Sequence, residues 1–224
     1  MMKPPQLTKI GEIVSRISRV IPTTYYGILN KEFRGNFTIL DVACGPGIPM
    51  YTLNRHKKYQ VTGVDLFEEY LNIVKNYGVY HAVVQSDIRK MPFQDGSFDA
   101  VNALHIIEHL EKEEGVKFMA ELERIARRKV IIATPVGFLK QGGYDNNDLQ
   151  EHKSGWEPEE FEKMGYRVIG QCWKPLNGNN TISRLCNSLK LFGIFRDIFS
   201  AIIQPFISKY PSRCYQMICI KEKK

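Results

Sequence analysis

A carboxylate and two glycines stand together in Asp41-Val42-Ala43-Cys44-Gly45-Pro46-Gly47, directly after the β-branched run Thr38-Ile39-Leu40. Glycines in a turn between a strand and a helix permit backbone conformations, and a close ligand approach, that a β-carbon would block. A pyrophosphate site would want G-x-G-x-x-G leading into a helix N-terminus; here the third glycine is missing and Pro49 sits nearby. Asp41 also repels an anion and suits a cofactor bearing an ammonium and a sulfonium. Asp65 follows twenty-four residues later, closing Val61-Thr62-Gly63-Val64, where an acid accepts both hydroxyls of a ribose. Two acids at two successive strand ends say more than a glycine pair alone.

The elements that must position these residues follow from periodicity. Ile10, Ile13, Val14, Ile17, Val20 and Ile21 recur at helical spacing until Pro22, and a second short helix is expected to run to Phe33. Strands are expected at 37–43, 60–64, 82–84, 98–102, 129–134, 166–170 and 214–220. Helices are expected from Ile48, over 68–77, over 112–126 and over 157–164, the last opened by Pro158. Strands alternating with helices at this spacing require crossover connections, so the expected fold is α/β, a doubly wound, mainly parallel seven-stranded sheet with a helical insertion before the last strand. The polar, glycine-rich stretch 137–155 reads as a loop over the strand ends, where lids sit.

The 224 residues suit one domain. It divides into an N-terminal helical cap (1–36), a core (37–170), an apolar helical insertion (176–210) and a closing strand (214–220). With 43% hydrophobic and 25% charged residues, wholesale disorder and a membrane-spanning bundle are both excluded. The net charge of +7 would suit an anionic partner, but the excess lies in scattered lysines and in the short runs 127–129 and 221–224, which read as solvated faces; no nucleic-acid partner is expected. Cys44, Cys172, Cys186, Cys214 and Cys219 show no C-x-x-C spacing and read as reduced thiols. Met1 to Gln6 lack a secretory pattern, so a cytoplasmic protein is expected, with peripheral membrane association left open.

Taken together, Ile39 to Gly47, Gly63-Val64-Asp65, Ser86-Asp87-Ile88, Met91-Pro92-Phe93-Gln94-Asp95-Gly96-Ser97-Phe98-Asp99-Ala100-Val101 and Ile107-Glu108-His109-Leu110 resemble the class I methyltransferases that depend on S-adenosylmethionine (SAM). The closest likeness is to their small-molecule branch, the ubiquinone-biosynthesis or type 11 enzymes. The resemblance covers roughly 38–170 and implies a Rossmann-like fold and SAM as cofactor. It further implies that the turn with Asp41, Ala43, Cys44, Gly45 and Gly47 holds the methionine part, Asp65 the ribose, Asp87 the adenine amine, Leu66 and Ile88 the adenine faces, and Asn102 and Ala103 the methionine end.

His105-Ile106-Ile107-Glu108-His109 matches the inverted zinc-protease pattern H-x-x-E-H, but that motif needs a continuous helix and a third ligand, whereas this copy directly follows a core strand. Similar quinone O-methyltransferases use an E-x-x-E-H segment here for a divalent metal. His105 replaces the first Glu, which argues against a hard-cation site, so no metal is expected and Glu108 and His109 are read as packing and orienting the loop. Methyl transfer needs a base only if the acceptor must lose a proton. His152 and His105 are the candidates, with His152 preferred. Asn102-Ala103-Leu104-His105 stands where methyltransferases acting on planar nitrogen carry N-P-P-Y, so an oxygen or carbon of a small-molecule or lipid-linked acceptor is expected. A noncatalytic SAM-binding or protein-interaction module with the same fold is the alternative.

Ile182, Leu185, Leu189, Phe192, Phe195, Phe199, Ile202, Ile203 and Phe206 form an apolar stripe, too often interrupted by charge to span a membrane. Packing on the domain as a lid, a homodimer contact, and docking on a membrane surface through Lys190, Lys209 and Arg213 all stay open for 182–207.

Overall fold

The computed structural model describes residues 21–143, 148–176, 199–200 and 202–223. The helix expected over 7–21 and most of the 182–207 stripe lie outside the described residues. All seven expected strands are present: β1 (Thr38–Val42), β2 (Gln60–Asp65), β3 (Ala82–Gln85), β4 (Phe98–Leu104), β5 (Ala126–Pro135), β6 (Arg167–Trp173) and β7 (Cys214–Glu222). They form one sheet in the order β3-β2-β1-β4-β5-β7-β6. The pairs from β3 to β5 are parallel, while β7 runs antiparallel to both β5 and β6.

Successive side chains of a strand point to opposite faces, so the apolar runs of β1, β4 and β5 supply two cores. Leu40, Val42, Val101, Ala103, Val130 and Ile132 face Phe118, Met119 and Leu122 of the helix Lys112–Ile125. Ile39, Ala100, Ile131 and Ala133 face Ile28, Leu29 and Phe33 of the helix Tyr25–Phe33, together with Met50. The spacing of three and four that buries Gly115, Phe118, Met119, Leu122 and Ile125 gives the longer helix its core face. Reciprocal capping by Glu111 and Glu114 satisfies the first N–H groups of that helix.

Two expected boundaries move. β4 continues to Leu104, because Asn102 and Ala103 pair with Asp41 and Val42 while Leu104 pairs with Ala133. Ala103 and Leu104 therefore extend the strand beyond its expected end at Asn102. β5 begins at Ala126, directly on the end of the preceding helix, so 127–129 is strand, with Arg127 and Arg128 exposed as expected and Lys129 half-buried. Arg127 pairs with Asp99, Arg128 donates to the Gly35 carbonyl, and Lys129 meets the buried Glu32 at 2.7 Å.

Candidate active site

The sheet reverses direction of growth between β1 and β4, and a cleft opens at the carboxyl ends of these strands, where doubly wound sheets bind ligands. Its walls include Ala43, Gly45, Asp65, Leu66, Asp87 and Ile88 on one side. His105, Ile106, His109 and Leu110 face them, and Leu149, Gln150 and Lys153 of the loop after β5 complete it. The empty space, counted out to the open mouth and including solvent there, is about 820 Å³.

The glycine turn is built as its residues require. Gly45 and Gly47 have φ of +51° and +70°, the left-handed region that glycine enters without strain. A β-carbon on Gly47 would lie 2.5 Å from Val74 Cγ1, so this glycine also seats the turn against the helix Glu68–Lys75. Asp65 organises the turn: one carboxylate oxygen accepts from the Gly45 N–H at 2.8 Å and the other from the Phe67 N–H at 2.9 Å. Burial pushes the Asp65 carboxyl above its usual range, and the N–H donors only partly offset it. Leu66, 41% exposed, offers apolar surface to the cleft beside it.

Asp41 does not line the cleft. It is buried, accepting from Asn102 Nδ2 on one oxygen and from the Tyr80 hydroxyl, at 2.7 Å, on the other. Burial, with the nearby charge of Asp65, raises its carboxyl to about 6, against the two hydrogen bonds that lower it. Asn102, Ala103, Cys44 and Gly47 are likewise absent from the walls. Ala103 belongs to the core and Cys44 packs on Leu71 and Val74. Asp87 does line the cleft, with Arg89 gripping both of its oxygens. That hydrogen bond is the main cause of an Asp87 carboxyl held below its usual range. The Arg89 N–H bonds the same carboxylate, so Asp87 is both a turn cap and a cleft acid.

The two histidines offered as bases part company. His105 lines the cleft at the end of β4 with φ of +58°, a strained value for a residue with a β-carbon. Its Nδ1 stands 3.4 Å from Glu108 Oε1, and its ring stacks on Tyr25 at 6.1 Å. His152 is buried and does not line the cleft; its Nδ1 bonds the Leu139 carbonyl at 2.6 Å and its N–H the Gln141 carbonyl. The preference for His152 as the residue facing the acceptor is therefore not met by its position, because the loop folds back and turns the ring inward.

That inward turn brings Glu108, His109 and His152 together, each offering one donor atom within 4.8 Å of the others. Burial raises the Glu108 carboxyl, and the hydrogen bond and charge of His105 outweigh it to hold the group below its usual range. Burial holds the His109 ring below its usual range, against the charge of Glu108 and the Glu151 carbonyl bond, which raise it. Sequence reading did not place Tyr80, Tyr25 or the His109–His152 contact, since each depends on residues dozens of positions apart.

Comparison with known proteins fits this geometry. Residues 40–134 match the family described as methyltransferase domain. Over these residues the chain is similar to methyltransferase domains. A sterol 24-C-methyltransferase of Gibberella zeae is 30% identical over 135 residues, covering 58% of this chain and 35% of that protein. Ajmaline N-methyltransferase of Rauvolfia serpentina is 28% identical over 146 residues, covering 60% of this chain and 46% of that protein. The chain thus spans less than half the length of these two relatives. The domain also superposes on a SAM dependent methyltransferase from Archaeoglobus fulgidus with a TM-score of 0.53 at 18% identity, over 93% of this chain and 99% of the other, a likeness of fold.

The residues present fit that cofactor on physical grounds. Asn102 Oδ1 is buried with no donor among the described residues. Its amide cannot turn round to find one, because that would set its oxygen against the Asp41 carboxylate. Asp41 and Asp65, both raised by burial, have no described Lys or Arg as an ion-pair partner. An ammonium and a sulfonium held in the adjacent cleft would supply compensating positive charge.

Proposed function

We propose that the chain transfers a methyl group from SAM to an oxygen or carbon of a small-molecule or lipid-linked acceptor. The observation that carries this reading is Asp65, a carboxylate held by the Gly45 and Phe67 N–H groups at the lip of the cleft, beside exposed Leu66 and across from His105. When bound, SAM supplies a methyl group already activated on a sulfonium centre. The protein's share is alignment and exclusion of water.

Asp65 accepts the ribose hydroxyls, its oxygens fixed in direction by the two N–H groups. Leu66 and Ile88 flank the adenine, and Asp87 accepts from its amine. Asp41 and Asn102 favour the cationic methionine end from below the turn. His105, with Glu108 behind its Nδ1, presents Nε2 to the cleft and takes the proton of a hydroxyl or an acidic carbon acceptor. Ile106, Leu110 and Leu149 give the acceptor apolar contact, with Gln150 and Lys153 as polar anchors.

Calorimetric titration with SAM tests the cofactor half. The wild type is expected to bind and Asp65→Ala to bind at least about 10-fold more weakly, the loss of one charge-assisted hydrogen bond. Wild-type protein that takes no SAM, or prefers NADH, overturns the reading. Incubation with methyl-labelled SAM and metabolite extracts tests the rest. A labelled product formed by wild type and reduced in His105→Ala is expected. SAM binding with no labelled product from any extract would point to a noncatalytic SAM-binding module.

A further inference from the structure

Of the two Lys or Arg residues on the walls of the cleft, one is matched and one is not. Arg89 grips Asp87 at 2.6 Å and reaches Glu114 at 3.4 Å. The ammonium of Lys153 meets no carboxylate and no hydrogen-bond acceptor among the described residues. Glu151, the nearest acid in sequence, does not line the cleft. The backbone of Lys153, by contrast, is fixed. The Lys153 and Ser154 N–H groups both donate to the Glu108 carbonyl, at 2.8 and 3.1 Å, which joins this loop to the turn after β4. Lys112 Nζ holds the next step of the loop through the Gly155 carbonyl at 2.6 Å. His152 and Ser154 are buried, so they anchor the loop and leave exposed Lys153 on the cleft side. Unpaired lysines are ordinary on solvated helix faces and tails. This one stands on a pinned loop at the wall of a cleft, opposite Asp65 and Asp87.

We propose that Lys153 binds an anionic group of the acceptor, a carboxylate or a phosphate, while the acceptor's apolar body lies against Ile106, Leu110 and Leu149. This rests on the methyl-transfer reading and narrows the acceptor to an apolar acid. Half-buried Ile106 and exposed Leu149 offer the apolar surface beside the charge. A ligand packed on them displaces water from around the ammonium, and an ion stripped of water without a partner is costly. A neutral acceptor would leave that cost standing and a cationic one would add repulsion, whereas an anion forms a charge-assisted hydrogen bond in a site of lowered polarity. Gln150, also on the wall, has its carbonyl held by Gln141 Nε2 at 3.1 Å, and its amide offers a donor for a second oxygen of the same group. SAM carries a carboxylate of its own at the methionine end, placed above by Asp41 and Asn102. The cofactor's affinity for Lys153 variants therefore separates the two anions.

The test uses the full chain and three probes of one shape, octanoate, octyl phosphate and neutral octanamide, titrated calorimetrically with and without SAM. At least one anion is expected to bind about 10-fold or more tightly than octanamide, and the tighter of the two tells carboxylate from phosphate. Lys153→Gln is expected to lose that preference and Lys153→Arg to keep it, with SAM affinity unchanged in both. The Lys153 side chain is exposed, so both variants are expected to fold, which near-ultraviolet dichroism checks. In parallel, metabolite extract is split on an anion-exchange resin and each fraction is incubated with methyl-labelled SAM. Label is expected from the retained fraction, with KM raised about 10-fold or more in Lys153→Gln and kcat little changed. Octanamide binding as tightly as either anion, an anion preference that survives in Lys153→Gln, acceptor activity confined to the unretained fraction, or weaker SAM binding by Lys153→Gln overturns the proposal. Wild type that binds SAM and labels nothing from either fraction defeats the methyl-transfer reading instead, and the probe titrations then decide the anion site by themselves.

Discussion

Asp41→Asn should make the protein more stable and the cofactor site worse. In wild type the Asp41 carboxyl is 3% exposed and raised from 3.8 to about 6. A rise of that size makes the ionised form about 3 kcal/mol more costly in the fold than in the unfolded chain. An asparagine carries no such cost and keeps the hydrogen bonds. Its amide oxygen accepts from Tyr80, and Asn102 can turn over to present its unpartnered Oδ1 to the new NH₂. The sign follows from proton counts: between pH 3.8 and about 6 the folded wild type holds a proton that the unfolded chain has released, so its stability falls as pH rises.

The variant should therefore match wild type near pH 4 and gain about 1.4 kcal/mol per pH unit above it. The advantage should level off above about pH 6, at about 2–3 kcal/mol. For a chain of this size that is roughly 5–10 °C in Tm at neutral pH. Urea unfolding of both proteins from pH 4 to 8 reads the difference directly, and other titrating groups cancel in it. The SAM-induced shift in Tm should shrink in the variant, its affinity for the cationic cofactor being about 10-fold lower or worse. A variant less stable than wild type at pH 7, or a stability gap that does not change between pH 4 and 6, would refute the account of Asp41 as an uncompensated buried charge.

Gly47→Ala combines a φ of +70° with a β-carbon 2.5 Å from Val74 Cγ1. It should cost about 2–4 kcal/mol in urea unfolding, partly backbone strain and partly overpacking. Lys129→Met removes one of two cations from Glu32, leaving Arg167 at 2.9 Å, and should cost about 2 kcal/mol, less than the full loss of a buried pair. Burial raises the Glu32 carboxyl, but its two partners bring it below 4.5; this stabilisation is present above that pH and lost as pH falls, so the effect of the variant should fade in acid. Trp156→Phe gives up the bond from Nε1 to Ser154 Oγ at 3.0 Å and a face that Lys112 Nζ approaches to 3.6 Å. A loss of about 2–3 kcal/mol is expected by chemical denaturation, and no change in either variant would remove these contacts from the stability account.

How much of this was legible depended on whether the signal was local. β1, β2 and β5 are β-branched runs closed by turn residues, and their number and alternation with helices led to the sheet. Asp65 could be read because a strand end and a neighbouring glycine turn determine where an acid must stand. The expected strand 98–102 stops at Asn102 because a polar residue usually closes an apolar run. Only pairing with Asp41 across the sheet shows that the strand continues through it. The run 127–129 is exposed at Arg127 and Arg128, as its charge suggests, but its acidic partners, Asp99 and Glu32, were not legible because they lie far away in sequence. His152 looked like a base from its place in a loop over the strand ends; which way the ring turns is set by the Leu139 carbonyl, which no motif encodes.

The two halves of the site are specified by different parts of the chain for a topological reason. β1, β2 and β3 grow the sheet one way and β4 and β5 grow it the other, so the turns after β2 and β3 stand opposite the turn after β4 and the loop after β5. The first group is acidic and tied to backbone N–H groups through Asp65 and Asp87, which suits a cationic nucleoside. The second group holds imidazoles tied to backbone carbonyls. Each half is built from short-range anchors on its own loops, and only the reversal between β1 and β4 brings them across one cleft. Loops on the β4 and β5 side can therefore vary without disturbing the hydrogen bonds that hold Asp65. The proteins this chain resembles are named for acceptors as different as a sterol and ajmaline.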